Sequence, residues 1–193
     1  FEVRSELMSG FGFGKLCDGG KTENDDFYRA SWMYFGSNSG HGHRDTLNLG
    51  MQSYGLNIMP DLGYPVRTGP DPNRLQWVSS TLSHNTAMVN EREQDVNTEV
   101  RGRVHHFADD GFTKLMDVSA DYVYPETDIY RRSNIMVNVD GEVSYTVDFF
   151  RIKGGDDHLL SIHALSDEIS AAEGAEFVPQ TDKNGSYTGT YAG

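Results

Sequence analysis

The chain has 193 residues, 37% of them hydrophobic and 23% charged, which places it among folded proteins large enough for one well-buried core. A net charge of −13 argues against a nucleic-acid partner, because phosphate backbones are held by clustered cations. The sequence shows no signal peptide and no apolar run of about 18 residues, so a membrane-spanning helix is excluded, and Cys17, the lone cysteine, excludes an internal disulfide.

The chain reads as mostly strand, with 21 glycines and clusters of Asn and Asp punctuating it at short intervals. In chain order the candidate strands are Phe27 to Phe35, Thr46 to Tyr54 and Leu56 to Met59, the last two joined by a tight Tyr54-Gly55 link. Asn85 to Val89, Val100 to Phe107 and Thr113 to Ala120 follow. Ile129 to Val139 and Ser144 to Ile152 flank Asp140-Gly141, a strong hairpin signal, and His158 to His163 comes last. In Ile135-Met136-Val137-Asn138-Val139 the odd positions are apolar and β-branched, the period of two that a strand requires. Helix is scarce. Asp71 to Thr81 is ambiguous, and Ser166 to Ala175 predicts one short helix with Ser166 as N-cap and acidic residues in its first turn. This pattern predicts an all-β fold, an antiparallel β-sandwich with little helix, as a single domain over 1–193. A chain that starts at Phe1 rather than Met is expected to be a fragment of a longer protein.

His41 and His43 are two apart, so on a strand both imidazoles share one face, and Gly40 and Gly42 leave room beside them for a ligand or a neighbouring chain. Asp61 follows in Pro60-Asp61-Leu62-Gly63-Tyr64-Pro65, and His84 in Ser83-His84-Asn85-Thr86. Two neutral imidazoles and a carboxylate suit Zn2+ and leave a fourth position for water or substrate. Each residue taken singly also has a plainer reading: His41 and His43 on a solvated strand face, His84 in a turn, Asp61 in a turn before Gly63. Spacing alone does not choose between the two.

The three segments together do carry a resemblance. Gly40-His41-Gly42-His43-Arg44-Asp45-Thr46-Leu47-Asn48-Leu49 resembles the HxHxD segment of heparinase II/III-like polysaccharide lyases. Pro60 to Pro65 resembles the D-x-G-Y segment that follows it, and Ser83-His84-Asn85-Thr86-Ala87-Met88-Val89 with Gln94 resembles the family's S-x-H-N-T stretch and its later glutamine. Tyr130-Arg131-Arg132, Tyr145-Thr146-Val147-Asp148 and His163 echo later strands more loosely, so the likeness runs from about Tyr28 to Leu165. It implies that His43, Asp61 and His84 are zinc ligands and that His41 faces the sugar in binding or catalysis. It further implies β-elimination on a uronate-containing polysaccharide such as heparan sulfate or alginate, in the periplasm or outside the cell. Such lyases join an N-terminal α/α-toroid to a C-terminal β-sandwich, and this chain resembles the β part. The family's catalytic tyrosine comes from the toroid, and none of the ten tyrosines here matches it. If complete, the chain is therefore expected to have little or no lyase activity alone.

Among the remaining residues, Arg67, Arg74 and Arg92 lie between these motifs and are candidates for touching an anionic sugar, which the bias of eleven Arg to five Lys suits. Trp77 is either a sugar-stacking platform or a core aromatic. On a regular strand Arg44 faces away from His43, which makes Arg44 and Asp45 a structural pair. His105 and His106 are expected on opposite faces of a strand, one of them exposed and neither a ligand. His163 reads as structural and Asp148 as a satisfied sheet residue. A non-catalytic carbohydrate-binding or assembly module of the same fold is the alternative function. A cupin-type metal site is disfavoured, because Leu47 stands where that motif approaches its glutamate and no Glu lies nearby.

Overall fold

Short strands with one apolar face must bury that face against a second layer, and here two antiparallel sheets do so. The computed structural model describes residues 3–19, 27–38, 42–64, 72–96, 99–165 and 174. The first sheet is a meander of β1 (Glu6–Met8), β2 (Phe13–Asp18), β3 (Arg29–Tyr34), β4 (Asn48–Ser53) and β5 (Leu56–Met59). A short β6 (Ala87–Val89) leads to the second sheet, formed by β7 (Arg103–Asp109), β8 (Thr113–Ser119), β9 (Thr127–Asn138) and β10 (Ser144–Gly154), again paired in sequence order. The last strand, β11 (His158–Leu160), returns to pair with β6. The fold is thus the expected all-β antiparallel sandwich. Among the described residues helix is confined to a turn over 72–78, within the ambiguous 71–81 stretch, and a 3-10 turn at Asp121–Val123. The helix expected at Ser166 to Ala175 lies outside the described residues, apart from Gly174. No helix among them is long and apolar enough to cross a membrane.

The shared core is built from Leu16, Met33, Phe35, Leu47, Met116, Val118, Tyr130 and Met136, all fully buried or nearly so. Strands β1 and β2 are absent from the sequence expectation, and β2 shows why. Its inward position Gly14 carries no apolar side chain to mark the period, because a Cβ there would lie 2.3 Å from the sulfur of Met116 across the core. Strand β9 obeys a period of two, but the buried side is the even one: Tyr130, Arg132, Asn134 and Met136 are 0–2% exposed, while Ile135 and Val137 are only partly covered. Two polar residues therefore enter the core. Asn134 accepts a 2.6 Å hydrogen bond from the Ser31 hydroxyl of β3, which ties one sheet to the other. The Tyr54-Gly55 link is a two-residue hairpin with both φ angles positive, 52° and 74°, as the twist of its flanking strands requires. In the β9–β10 link the Asp140 carboxylate accepts from the backbone N–H groups of Glu142 and Val143.

Gly50, in the middle of β4, is the seat of the Trp32 indole, which also stacks on Phe13 with ring centroids 5.9 Å apart. A Cβ at position 50 would lie 2.0 Å from Trp32 Cε2. Gly50→Ala is therefore expected to displace the indole and cost about 1–3 kcal/mol, the usual range for overpacking. The measurement is a urea midpoint with Trp fluorescence as probe; an unchanged midpoint and emission maximum would sink it.

Candidate metal centre

Three segments converge beside the first sheet: the link 42–47 into β4, residues 60–63 after β5, and the turn 80–86 before β6. His43 does not lie on a strand, since β4 begins only at Asn48, so the expected strand face shared with His41 is replaced by an irregular link. His41 itself lies outside the described residues. That link is anchored at both ends. Arg44 N donates to Ser79 O at 3.1 Å, and Leu47 N to Tyr34 O at 2.7 Å. Leu47 holds φ at 63°, a left-handed conformation that costs a branched residue about 1–3 kcal/mol and persists only where its surroundings insist on it.

Those surroundings come largely from the S-x-H-N-T stretch and Gln94. The Gln94 side chain accepts from Thr46 N at 2.8 Å and donates to Thr46 O at 3.0 Å, while Thr86 Oγ1 donates to the same carbonyl. Asn48 Oδ1 accepts from Asn85 N at 2.9 Å, and Leu49 N donates to Asn85 O at 3.1 Å. From the second sheet, the buried Arg132 guanidinium donates to Leu47 O and Asn85 O, and its other edge forms a bidentate pair with Asp148. Asp148 is thus a satisfied sheet residue, as its position suggested.

Within this frame one donor atom from each of His43, Asp45, Asp61 and His84 lies within 4.8 Å of the others, a span comparable to one coordination sphere. The His84 ring is 1% exposed and its Nδ1 lies 2.6 Å from Ser80 O. A carbonyl only accepts, so Nδ1 carries the proton and the Nε2 lone pair faces the cluster. There it meets His43 Nδ1 at 3.0 Å and Asp61 Oδ2 at 3.5 Å. Burial drives the His84 pKa well below its usual value against the opposing pull of Asp61. Burial also lowers His43; Asp61 opposes this and the Arg74 guanidinium adds to it. Both rings are thereby neutral near pH 7, the form that binds metal. Asp61 is aimed by two bonds: Oδ1 accepts from Gly63 N at 2.7 Å and Oδ2 from Asn48 Nδ2 at 2.8 Å.

Asp45 is the member that the sequence expectation assigned elsewhere. No ion pair joins it to Arg44 among the described residues, and its Oδ1 is buried with no hydrogen-bond partner. Burial, with the Asp61 carboxylate adding to it, pushes the Asp45 carboxyl up to about 7. The signal in the sequence was its place as the aspartate that closes the HxHxD segment, two residues after His43.

The cluster borders a pocket of about 330 Å³ whose walls are Phe11, Phe13, Trp32, Tyr34 and Tyr64, with His43, Asp45 and Asp61 at one side. Phe11 and Phe13 come from the hairpin that the sequence reading did not foresee. Of the residues expected to touch sugar, Arg67 lies outside the described residues. Arg74 lies on the helical turn near His43. Trp77, on the same turn, is half-buried with its ring edge-on to His163 at 6.0 Å. Arg92 is bound up with Asp95 and Glu126, each at 2.8 Å, and lies over the Tyr124 ring. His163 is tied down through Ser161 and Leu82 O, and His106 is the exposed member of its pair, beside a bulge in β7.

The family described as heparinase II/III-like, C-terminal, matches residues 28–187. A solved heparinase III, the BT4657 gene product, superposes with a TM-score of 0.71 at 18% identity, over 89% of this chain and 26% of that one. A heparan sulfate lyase HepC mutant from Pedobacter heparinus superposes with a TM-score of 0.65 at 18% identity, over 79% of this chain and 22% of that one. At such identities the likeness is one of fold, and the chain spans about a quarter of those proteins. No curated protein sequence matches significantly.

Proposed function

Because the chain belongs to the heparinase II/III-like, C-terminal family, we propose that it is the zinc-bearing β part of a polysaccharide lyase acting on a uronate-containing polysaccharide. The observation that carries this reading is the convergence of His43, Asp61 and His84, from three separate segments, on one neutral-imidazole and carboxylate donor set. The donors fit Zn2+, and His84 already has the backbone acceptor on its outer nitrogen that zinc-binding histidines use. When bound, the ion supplies a fixed positive centre that neutralises the carboxylates of the cluster and locks the three segments together.

In the proposed reaction a base removes the C5 proton of the uronate, the C4–O4 bond breaks, a C4=C5 double bond forms and O4 leaves with a proton. His41 is assigned the sugar-facing role, as donor to the sugar or as acid/base, chemistry for which an imidazole is suited. The aromatic pocket supports a sugar ligand: flat rings such as Trp32 and Tyr64 bury the apolar face of a pyranose while the acidic side accepts its hydroxyl protons. The toroid that such lyases use for the tyrosine acid/base is part of the proposal, as is a periplasmic or secreted location.

The test is turnover by the protein as encoded, against alginate, heparan sulfate, hyaluronan and ulvan, followed as ultraviolet absorbance of the unsaturated uronate product. One substrate is expected to give that chromophore. Saccharide binding with no turnover would favour a carbohydrate-binding module, and reducing ends without the chromophore would refute elimination. The 193-residue chain alone is expected to give no chromophore.

A further inference from the structure

We propose that Asp45 is a fourth protein ligand, so that the ion is held by His43, Asp45, Asp61 and His84 in a closed sphere with no position left for water or sugar. This rests on the metal reading above and goes beyond it, since three ligands would leave a coordination site open for chemistry and four would not.

Three observations support it independently. Asp45 is 7% exposed and its Oδ1 has no hydrogen-bond partner among the described residues, a rare condition for a buried carboxylate oxygen. That residue belongs to the same group of donors within 4.8 Å of one another as the two histidines and Asp61. The third is charge. Asp45 has no ion pair among the described residues, and a second carboxylate, Asp61, stands in the same cluster. A buried carboxylate without a cation is strongly disfavoured. One dication with Asp45, Asp61 and two neutral imidazoles is electroneutral, so the ion compensates the buried Asp45 together with its half-buried neighbour Asp61. The backbone is arranged for this, because Gln94 clamps Thr46, the next residue, by both its N–H and its carbonyl and leaves the Asp45 side chain little freedom. The ion is then structural: it fastens the 42–47 link, and with it the segment carrying His41, to β5 and the 80–86 turn.

The experiment loads the 193-residue chain with Co2+ as a spectroscopic stand-in for Zn2+ and compares it with Asp45→Asn. The wild type is expected to show the intense visible bands of four-coordinate cobalt, unmoved by added azide. Asp45→Asn should bind Co2+ more weakly by upwards of roughly 100-fold, since losing even an outer-shell partner costs 10–100-fold, and its remaining spectrum should respond to azide. Thermal melts give a readout that misfolding would not mimic. Without metal Asp45→Asn should melt at or above the wild type, because the neutral amide removes a buried charge; with metal it should melt below. Equal Co2+ affinity in the two proteins, or an azide response in the wild type, overturns the fourth ligand and leaves the metal site standing. Failure of the wild type to take up Co2+ or Zn2+ at all overturns both.

Discussion

Arg132→Ala is expected to cost about 2–4 kcal/mol of folding stability, because it removes hydrogen bonds from a charged group, worth roughly 1.5–3 kcal/mol, and the packing of a fully buried side chain. Arg132 is 0% exposed, and four separate groups depend on it. Asp148 loses a bidentate partner, Leu47 O and Asn85 O lose a charged donor, and the Phe150 ring loses the guanidinium 5.0 Å from its centroid. Since the Leu47 carbonyl belongs to a residue held at a strained positive φ, its release should also let the 42–47 link relax. Zinc affinity should fall with stability, although Arg132 touches no proposed ligand. Arg132→Lys should recover little, because an ammonium does not serve the carboxylate and two carbonyls as a planar fork does. Urea midpoints with and without zinc check this. A loss under about 1 kcal/mol for Arg132→Ala would mean that the Leu47 and Asn85 carbonyls are held by other means.

His84→Ala is expected to abolish zinc retention, leaving far less than one equivalent after desalting by elemental analysis. The substitution removes a nitrogen whose lone pair the Ser80 carbonyl aims at the cluster, and it leaves Asp45 and Asp61 facing each other with one imidazole fewer. At a free-metal level 1,000 times the dissociation constant the bound ion stabilises by about 4 kcal/mol. The zinc-dependent rise in Tm, on the order of 10 °C for a chain of this size, should therefore vanish in the variant. His43→Ala should behave alike, while His41→Ala should keep its metal and lose sugar binding or turnover. A full equivalent of zinc in both His84→Ala and His43→Ala would refute the ligand assignment.

Much of the architecture was legible in the chain because it depends on local rules. Turn residues such as Tyr54-Gly55 and Asp140-Gly141 mark hairpins by their backbone freedom, and sequential hairpins build both sheets. The period of two in β9 was legible as well, but the side that faces the core was not. Arg132 and Asn134 occupy inward positions that hydropathy assigns to solvent, and they are tolerated only because Asp148, two carbonyls and Ser31 from distant parts of the chain satisfy them. Strand β2 went unseen for the complementary reason: at Gly14 the apolar partner is supplied by Met116 from the other sheet.

The site divides in the same way. The sequence by itself determined which residue types stood ready, two histidines and an aspartate in three recognisable segments, because motif chemistry is written in order and spacing. Only the tertiary structure decided that these segments meet and that His43 sits in an irregular link rather than on a strand. It also decided that Asp45 faces the cluster rather than Arg44, and that Trp32, not singled out in the sequence, lines the adjoining pocket. The physical reason is that burial and the direction of a donor lone pair are not properties of a residue or its neighbours in sequence. They are set by which carbonyls, amides and rings the packed sheets bring within about 5 Å, and those come from far along the chain: Arg132 lies 85 residues from Leu47, and Asn134 lies 103 from Ser31.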